Sequence, residues 1–320
     1  MRRIGVLTAG GDAPGMNAAI RSVARSAIHE DLEVIGFERG YAGLIGGQTR
    51  SMGPRSVSGI INLGGTILKT SRCEEMKTPQ GLRKAADILK KYEIDGLITI
   101  GGDGAFRGAS ELREASSIPI VGIPATIDND VAGTDTTIGF DTAVNTALLA
   151  IDKIRDTATS HERIFVVEVM GRRRGFLALE VGLADGVEVI LLPEVEFNLD
   201  ELCEILKHGR RERKTSEIIV MAEGAGNSRS IVDHIAKNTG YEVRLTTLGH
   251  IQRGGSPTAI SRVLACQFGH YATKLLIEGA EEKIVGIKDG RIVSSDLEYA
   301  WKGKKELDLR LYQLARILSA

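Results

Sequence analysis

The chain has 320 residues, more than one typical domain holds, with 42% hydrophobic and 26% charged residues. A formal net charge of −1 argues against nucleic acid or a membrane surface as the main partner. Cys73, Cys203 and Cys266 are scattered without metal-ligand spacing, which suits a reducing compartment and gives no disulfide framework.

Taken in order, residues 4–7 form a short buried strand behind a basic head, Met1-Arg2-Arg3. The apolar segment is too short for a signal peptide and runs into Gly10-Gly11-Asp12, so it reads as the first strand of a cytoplasmic protein. No apolar run approaches the roughly 18 residues a membrane helix needs. A helix is expected over 16–28, a strand over 32–37, a glycine-rich connection over 39–53 and helix over 57–63. An amphipathic helix at 80–91, a strand at 96–100, a helix at 106–115 and an apolar strand at 118–123 follow. The second half gives helices at 142–156, 178–184, 199–211 and 262–277, with strands at 164–169, 187–192, 217–221 and 244–249. The tail is charged with weak helical signals.

This alternation predicts α/β architecture, two doubly wound parallel-sheet (Rossmann-like) domains with helices on both faces. The expected division is 1–139 with about 252–303, and 140–251 with about 304–320. Ligands of such sheets bind outside the carboxyl ends of the strands. Three Gly/Asp loops, at 10–12, 101–105 and 124–130, lie at such ends.

The glycine loops serve either as strand-to-helix turns or as phosphate cradles, with backbone N–H groups and a positive helix end facing the anion. Asp103 is either a helix N-cap or a carboxylate that meets phosphate through Mg²⁺. In Thr126-Ile127-Asp128-Asn129-Asp130, an extended backbone would point both carboxylates to one side, one for a proton and one for a metal; an Asx-rich turn is the alternative. Arg163, Arg172, Arg244 and Arg253 at strand ends, with His250 beside them, suggest an anion pocket, and Glu223 could accept from a sugar hydroxyl. Together these parts describe phosphoryl transfer.

Five stretches carry a resemblance: Gly10-Gly11-Asp12-Ala13-Pro14-Gly15-Met16-Asn17, Gly101-Gly102-Asp103-Gly104, Thr126-Ile127-Asp128-Asn129-Asp130, Val169-Met170-Gly171-Arg172 and Leu248-Gly249-His250-Ile251-Gln252-Arg253-Gly254-Gly255. In order and spacing the chain resembles the bacterial ATP-dependent 6-phosphofructokinases over nearly its whole length. The resemblance implies the phosphofructokinase fold, a nucleotide-binding and a fructose 6-phosphate-binding domain, and a cytoplasmic homotetramer. It implies transfer of the ATP γ-phosphoryl group to the 1-hydroxyl of fructose 6-phosphate with Mg²⁺, a step of glycolysis, with no nucleic acid or membrane involved.

By motif match Asp128 is the general base, acting with Thr126, Arg72 and Arg172, while Asp103 and Asp130 serve the metal. Gly11, Arg72, Cys73, Gly102, Asp103, Gly104 and Ala105 would contact the nucleotide. Thr126, Ile127, Asp128, Met170, Gly171, Arg172, Glu223, His250, Ile251, Gln252 and Arg253 would hold the sugar phosphate, with Arg163 and Arg244 supplied across a subunit interface. Arg21, Arg25, Arg155, Gly186, Glu188 and Lys214 match an effector site for ADP or phosphoenolpyruvate. Pro54, Ala105, Ala125, Arg173, Arg174 and Glu212 depart from the family pattern.

A pyrophosphate-dependent phosphofructokinase would carry Asp in place of Gly104 and Lys in place of Ala125. A non-catalytic sugar-phosphate sensor would lose Asp128 and Asp103, and a lipid or NAD kinase would lack residues 250–255. No Gly-x-Gly-x-x-Gly opens a βαβ unit, which disfavours a dehydrogenase.

Overall fold

In the computed structural model, which describes residues 1–212 and 214–319, the chain falls into two compact units. One comprises Met1–Thr142 and Arg253–Lys305, the other Ala143–Gln252 and Glu306–Ala320. The strands in chain order are β1 (Arg3–Ala9), β2 (Glu33–Phe37), β3 (Thr49–Ser51), β4 (Gly96–Gly101), β5 (Ile120–Pro124) and β6 (Ile164–Val169). They continue with β7 (Val189–Leu191), β8 (Glu217–Ala222), β9 (Val243–Thr247), β10 (Glu282–Lys288) and β11 (Arg291–Asp296).

The first unit is built on a seven-stranded sheet in the order β11-β10-β5-β4-β1-β2-β3. β4 and β5 are buried from end to end, as strands covered by helices on both faces must be. Two pairings in its register matter most. Ala9 pairs with Gly101, and Gly101 with Pro124, so β1, β4 and β5 end level with one another. The second unit has a four-stranded parallel sheet, β7-β8-β6-β9. There Val169 pairs with Ala222 and Glu168 with Thr247, so β6, β8 and β9 also end together.

The helices start where local chemistry permits. Thr78 accepts from the Gly81 N–H with Pro79 in the first turn, and Asn198 and Asn227 cap the helices Leu199–Arg211 and Ser228–Thr239. No helix among the described residues is long and apolar enough to cross a membrane.

Four sequence expectations need correction. Residues 57–63 are not helical; they are mostly turns, and their end is anchored by Asn17, whose amide donates to the carbonyls of Leu63 and Gly64 and accepts from the N–H of Ile67. The connection at 39–53 contains a short helix, Gly40–Ile45, and the edge strand β3. The tail holds the hairpin β10–β11 as well as helix, so the larger sheet has antiparallel edges at β3 and β11. Asp289 and Gly290, both at positive φ, make the tight turn between β10 and β11. Finally, a helix, Ser228–Thr239, stands between β8 and β9, where the sequence reading expects no element.

Candidate active site

In the first unit the level strand ends bring three loops side by side. The loop after β1 is pinned by the Thr70 hydroxyl, which donates to the Gly10 carbonyl at 2.8 Å. Gly11 lies against Arg253: a Cβ there would stand 2.2 Å from the guanidinium. Backbone thus approaches a cation as closely as its chemistry allows, and any side chain would displace that cation.

After β4, Gly102 takes the N-cap position of the helix Asp103–Ser116, and Asp103 stands in the first turn. Asp103 is therefore not the N-cap, which removes one of its two readings. Its carboxylate lies at the positive end of the helix, where an acid is stabilised. The first turn is held by the buried Tyr41, whose hydroxyl donates to the Ala105 carbonyl at 2.5 Å. Burial pushes the Tyr41 phenol well above its ordinary range, so it stays a donor. Arg72 is exposed and Cys73 half-buried on the preceding connection.

After β5 the chain does not remain extended. Ala125 donates to the Gly101 carbonyl at 2.9 Å, tying this loop to its neighbour. Ile127 and Asp128 then turn, and Asn129 adopts φ 51°. Strict alternation of Asp128 and Asp130 on one side, expected for a strand, is thereby replaced by a turn, closed by the Thr126 hydroxyl rather than by an Asx side chain. Asp128 is 1% exposed while Asp130 and Thr126 are half-buried. The Thr126 hydroxyl accepts from the Asp128 N–H at 3.2 Å.

In the second unit, Met170, Gly171 and Arg172 follow β6, Glu223 follows β8, and Gly249 to Gln252 follow β9. Glu223 Oε1 accepts from the N–H groups of Gly171 (3.2 Å) and Arg172 (2.6 Å). Gln252 is fully buried, and its Oε1 accepts from the Met170 N–H at 2.9 Å. Both residues brace the 170–172 loop. His250 and Ile251 are exposed. Arg163 Nε lies 2.8 Å from Glu242 Oε2, and Arg244 pairs with the same carboxylate. Glu242 is held below the usual carboxylate range by Arg163 first and Arg244 next. Arg174 is half-buried and Arg173 exposed, and nothing in the structure explains this basic pair.

The positions matching an effector site divide between the units. Arg155 forms an ion pair with Asp185, whose carboxyl burial pushes up, and Glu188 accepts from the Ile218 N–H at 2.8 Å. Lys214 donates to the Ser319 carbonyl at 2.9 Å, and Gly186 ends its helix at φ 67°. In the first unit Arg25 donates to the Pro54 carbonyl at 2.9 Å, and Arg21 is half-buried on the same helix. Pro54 thus meets a basic side chain through its backbone.

Residues 3–276 match the phosphofructokinase family model. The chain belongs to the phosphofructokinase family. It is 53% identical over 319 residues to the ATP-dependent 6-phosphofructokinase of Clostridium botulinum (strain Hall) and covers that protein completely. Against the protein of the same description from Halalkalibacterium halodurans the identity is 54%, again over the full length of both. Among solved structures it superposes on phosphofructokinase from Saccharomyces cerevisiae with a TM-score of 0.92 and 34% identity. That match covers 100% of this chain and 48% of the yeast chain, so the chain spans about half of it.

Tyr41, Glu242 and Lys305 touch the candidate loops or arginines through Ala105, Arg163 and Asn129, and no local sequence signal points to them. Asn17 and Asn129, by contrast, lie inside the motifs that carry the resemblance.

Proposed function

We infer that the chain is an ATP-dependent 6-phosphofructokinase, a kinase that phosphorylates fructose 6-phosphate in glycolysis, working in the cytoplasm as a homotetramer. The observation that carries this reading is the register of Ala9, Gly101 and Pro124, which sets a glycine cradle, a carboxylate at a helix start and a buried aspartate on adjacent strand ends.

Asp128 takes the proton of the acceptor 1-hydroxyl as that oxygen attacks the γ-phosphorus. The bond from the γ-phosphorus to the bridging oxygen breaks, and the electron pair leaves on ADP. Gly11 and residues 102–105 bind the polyphosphate through backbone N–H groups, Cys73 contacts the nucleotide, and Arg72 steadies the group in transfer. Thr126 and Ile127 shape the acceptor side, and Arg172, His250 and Arg253 bind the sugar phosphate with Met170 and Gly171. Arg163 and Arg244 complete the sugar-phosphate site of a neighbouring copy.

Asp103 and Asp130 suit Mg²⁺, which uses one or two carboxylates together with phosphate oxygens and water. The described residues contain no group of three or more His, Cys, Asp or Glu arranged for a metal, and a substrate-assisted Mg²⁺ site needs none. Bound there, the ion would neutralise charge developing between the β- and γ-phosphates. ADP or phosphoenolpyruvate would act at Arg21, Arg25, Arg155, Gly186, Glu188 and Lys214.

The test is fructose 1,6-bisphosphate formation with ATP or with pyrophosphate, Mg²⁺ present, for the native chain and Asp128→Ser. Product with ATP alone is expected, and the variant should lose at least about 10²-fold in turnover while still binding fructose 6-phosphate. Product from pyrophosphate alone reverses the donor, and full turnover in Asp128→Ser removes the base.

A further inference from the structure

The first unit ends at Lys305, and its half-buried side chain reaches the acid loop. Nζ donates to Asn129 Oδ1 at 2.7 Å and to the Asp135 carbonyl at 3.1 Å. Asn129 stands between the base and the candidate metal carboxylate, in left-handed backbone. Its amide is the junction of the loop. Oδ1 also accepts from the Thr137 N–H at 3.1 Å, and Nδ2 donates to the same Asp135 carbonyl at 3.2 Å. The Thr137 hydroxyl reaches back to the Thr126 carbonyl at 2.6 Å, so these contacts tie together the two residues, Thr126 and Asn129, on either side of Ile127-Asp128 in the chain.

An ammonium in such a place loses hydration. Burial pulls Lys305 down to about 8, with Asp135 and Asp130 acting in the other direction. A neutral amide would make the same junction with the loop's own groups at lower desolvation cost, so a charged donor here supplies something more than cohesion. It fixes one orientation of Asn129, because two acceptors converge on one nitrogen at hydrogen-bond distance.

We propose that Lys305 is a positioning residue for phosphoryl transfer: by clamping Asn129 and the Asp135 carbonyl, it holds Asp128 in the orientation that meets the acceptor hydroxyl. The proposal rests on Asp128 being the base. A misplacement of a reacting group by about 1 Å costs about 10²-fold in rate, so a loosened loop lowers kcat even where the fold persists. A lysine that merely pinned the chain would instead lower the unfolding temperature and leave kcat of the folded protein unchanged.

The experiment is steady-state kinetics of full-length Lys305→Met, Asn129→Ala and the double variant, with fructose 6-phosphate, ATP and Mg²⁺, alongside thermal unfolding. Lys305→Met should lower kcat at least about tenfold while the KM of each substrate moves less than about threefold. Because Lys305 acts through Asn129, the double variant should be no slower than Asn129→Ala alone. Lys305→Arg, which keeps the charged donors, should recover part of the loss. Unchanged kcat in Lys305→Met, or losses that multiply in the double variant, overturns the proposal. If Lys305→Met does not fold, Lys305→Ala is read by the same criteria. Full turnover in Asp128→Ser would fail the base assignment itself; a dead Asp128→Ser with a normal Lys305→Met fails the positioning role alone.

Discussion

Two glycines of the nucleotide loops are glycine for different reasons. A Cβ on Gly11 would collide with the guanidinium of Arg253, whereas one on Gly104 would meet nothing within 4 Å. Gly104 lies in the first turn of the helix Asp103–Ser116, where N–H groups face outward and an acidic side chain is well tolerated. Packing therefore does not demand glycine at 104, and on the proposed reading the demand comes from an anionic nucleotide passing over it. Gly104→Asp should fold with an unfolding temperature close to that of the native chain, yet raise the KM for ATP by about tenfold or more through repulsion of the phosphates. A KM for ATP that stays put would mean the nucleotide does not cross this residue.

At the scale of elements, what was legible in the sequence was whatever burial writes as a run. β4 and β5 lie between helices, so nearly every side chain is apolar, and their ends show as abrupt Gly/Asp loops. What escaped depends on partners far along the chain. Residues 57–63 look helical by their apolar spacing, but they form turns whose end Asn17 anchors from more than forty positions away. Lys305 meets Asn129 across 176 positions, and no local pattern reports such a pair. The hairpin β10–β11 is the opposite case, because Asp289-Gly290 is a strong local signal that the surrounding charges obscured.

β8 also carries a pH response. Its first residue, Glu217, is buried, with Arg210 Nε 3.7 Å from its carboxylate. Burial pushes the carboxyl from 4.5 up to about 7, Glu188 adds to this, and Arg210 and Lys214 oppose it. Between these values the folded chain holds a proton that the unfolded chain has released. The resulting stabilisation is full below about pH 4.5 and is lost as pH rises through about 7. Unfolding midpoints of the native chain should therefore carry a falling component from pH 5 to pH 7, and Glu217→Gln should flatten it. An identical slope in the variant would assign the response to other groups.

At the scale of the whole molecule, the residues read as nucleotide and base machinery belong to one unit, and Met170 to Arg172, Glu223 and His250 to the other. Arg163 and Arg244 do not share the strand ends expected of them: Arg163 just precedes β6 and Arg244 is the second residue of β9, whereas Arg172 and His250 follow those strands. Within the chain they share one carboxylate, Glu242, which is about half exposed and so a weak partner for two guanidiniums. A phosphate would be a stronger one. If the phosphate belongs to a neighbouring copy, one chain's Asp128 and another chain's Arg163 form each working site. Asp128→Ser alone would then be inactive, and Arg163→Ser alone weak at low fructose 6-phosphate. Unfolding the two variants together in equal amounts and refolding them would let the copies mix. About a quarter of the sites would then pair an intact Asp128 with an intact Arg163, if assembly is random in a symmetric oligomer. Recovery of activity toward that level at low fructose 6-phosphate, absent when the variants are mixed without unfolding, is the expected outcome. No recovery after co-refolding would return Arg163 to its own chain and remove the need for a second copy to complete the sugar-phosphate site.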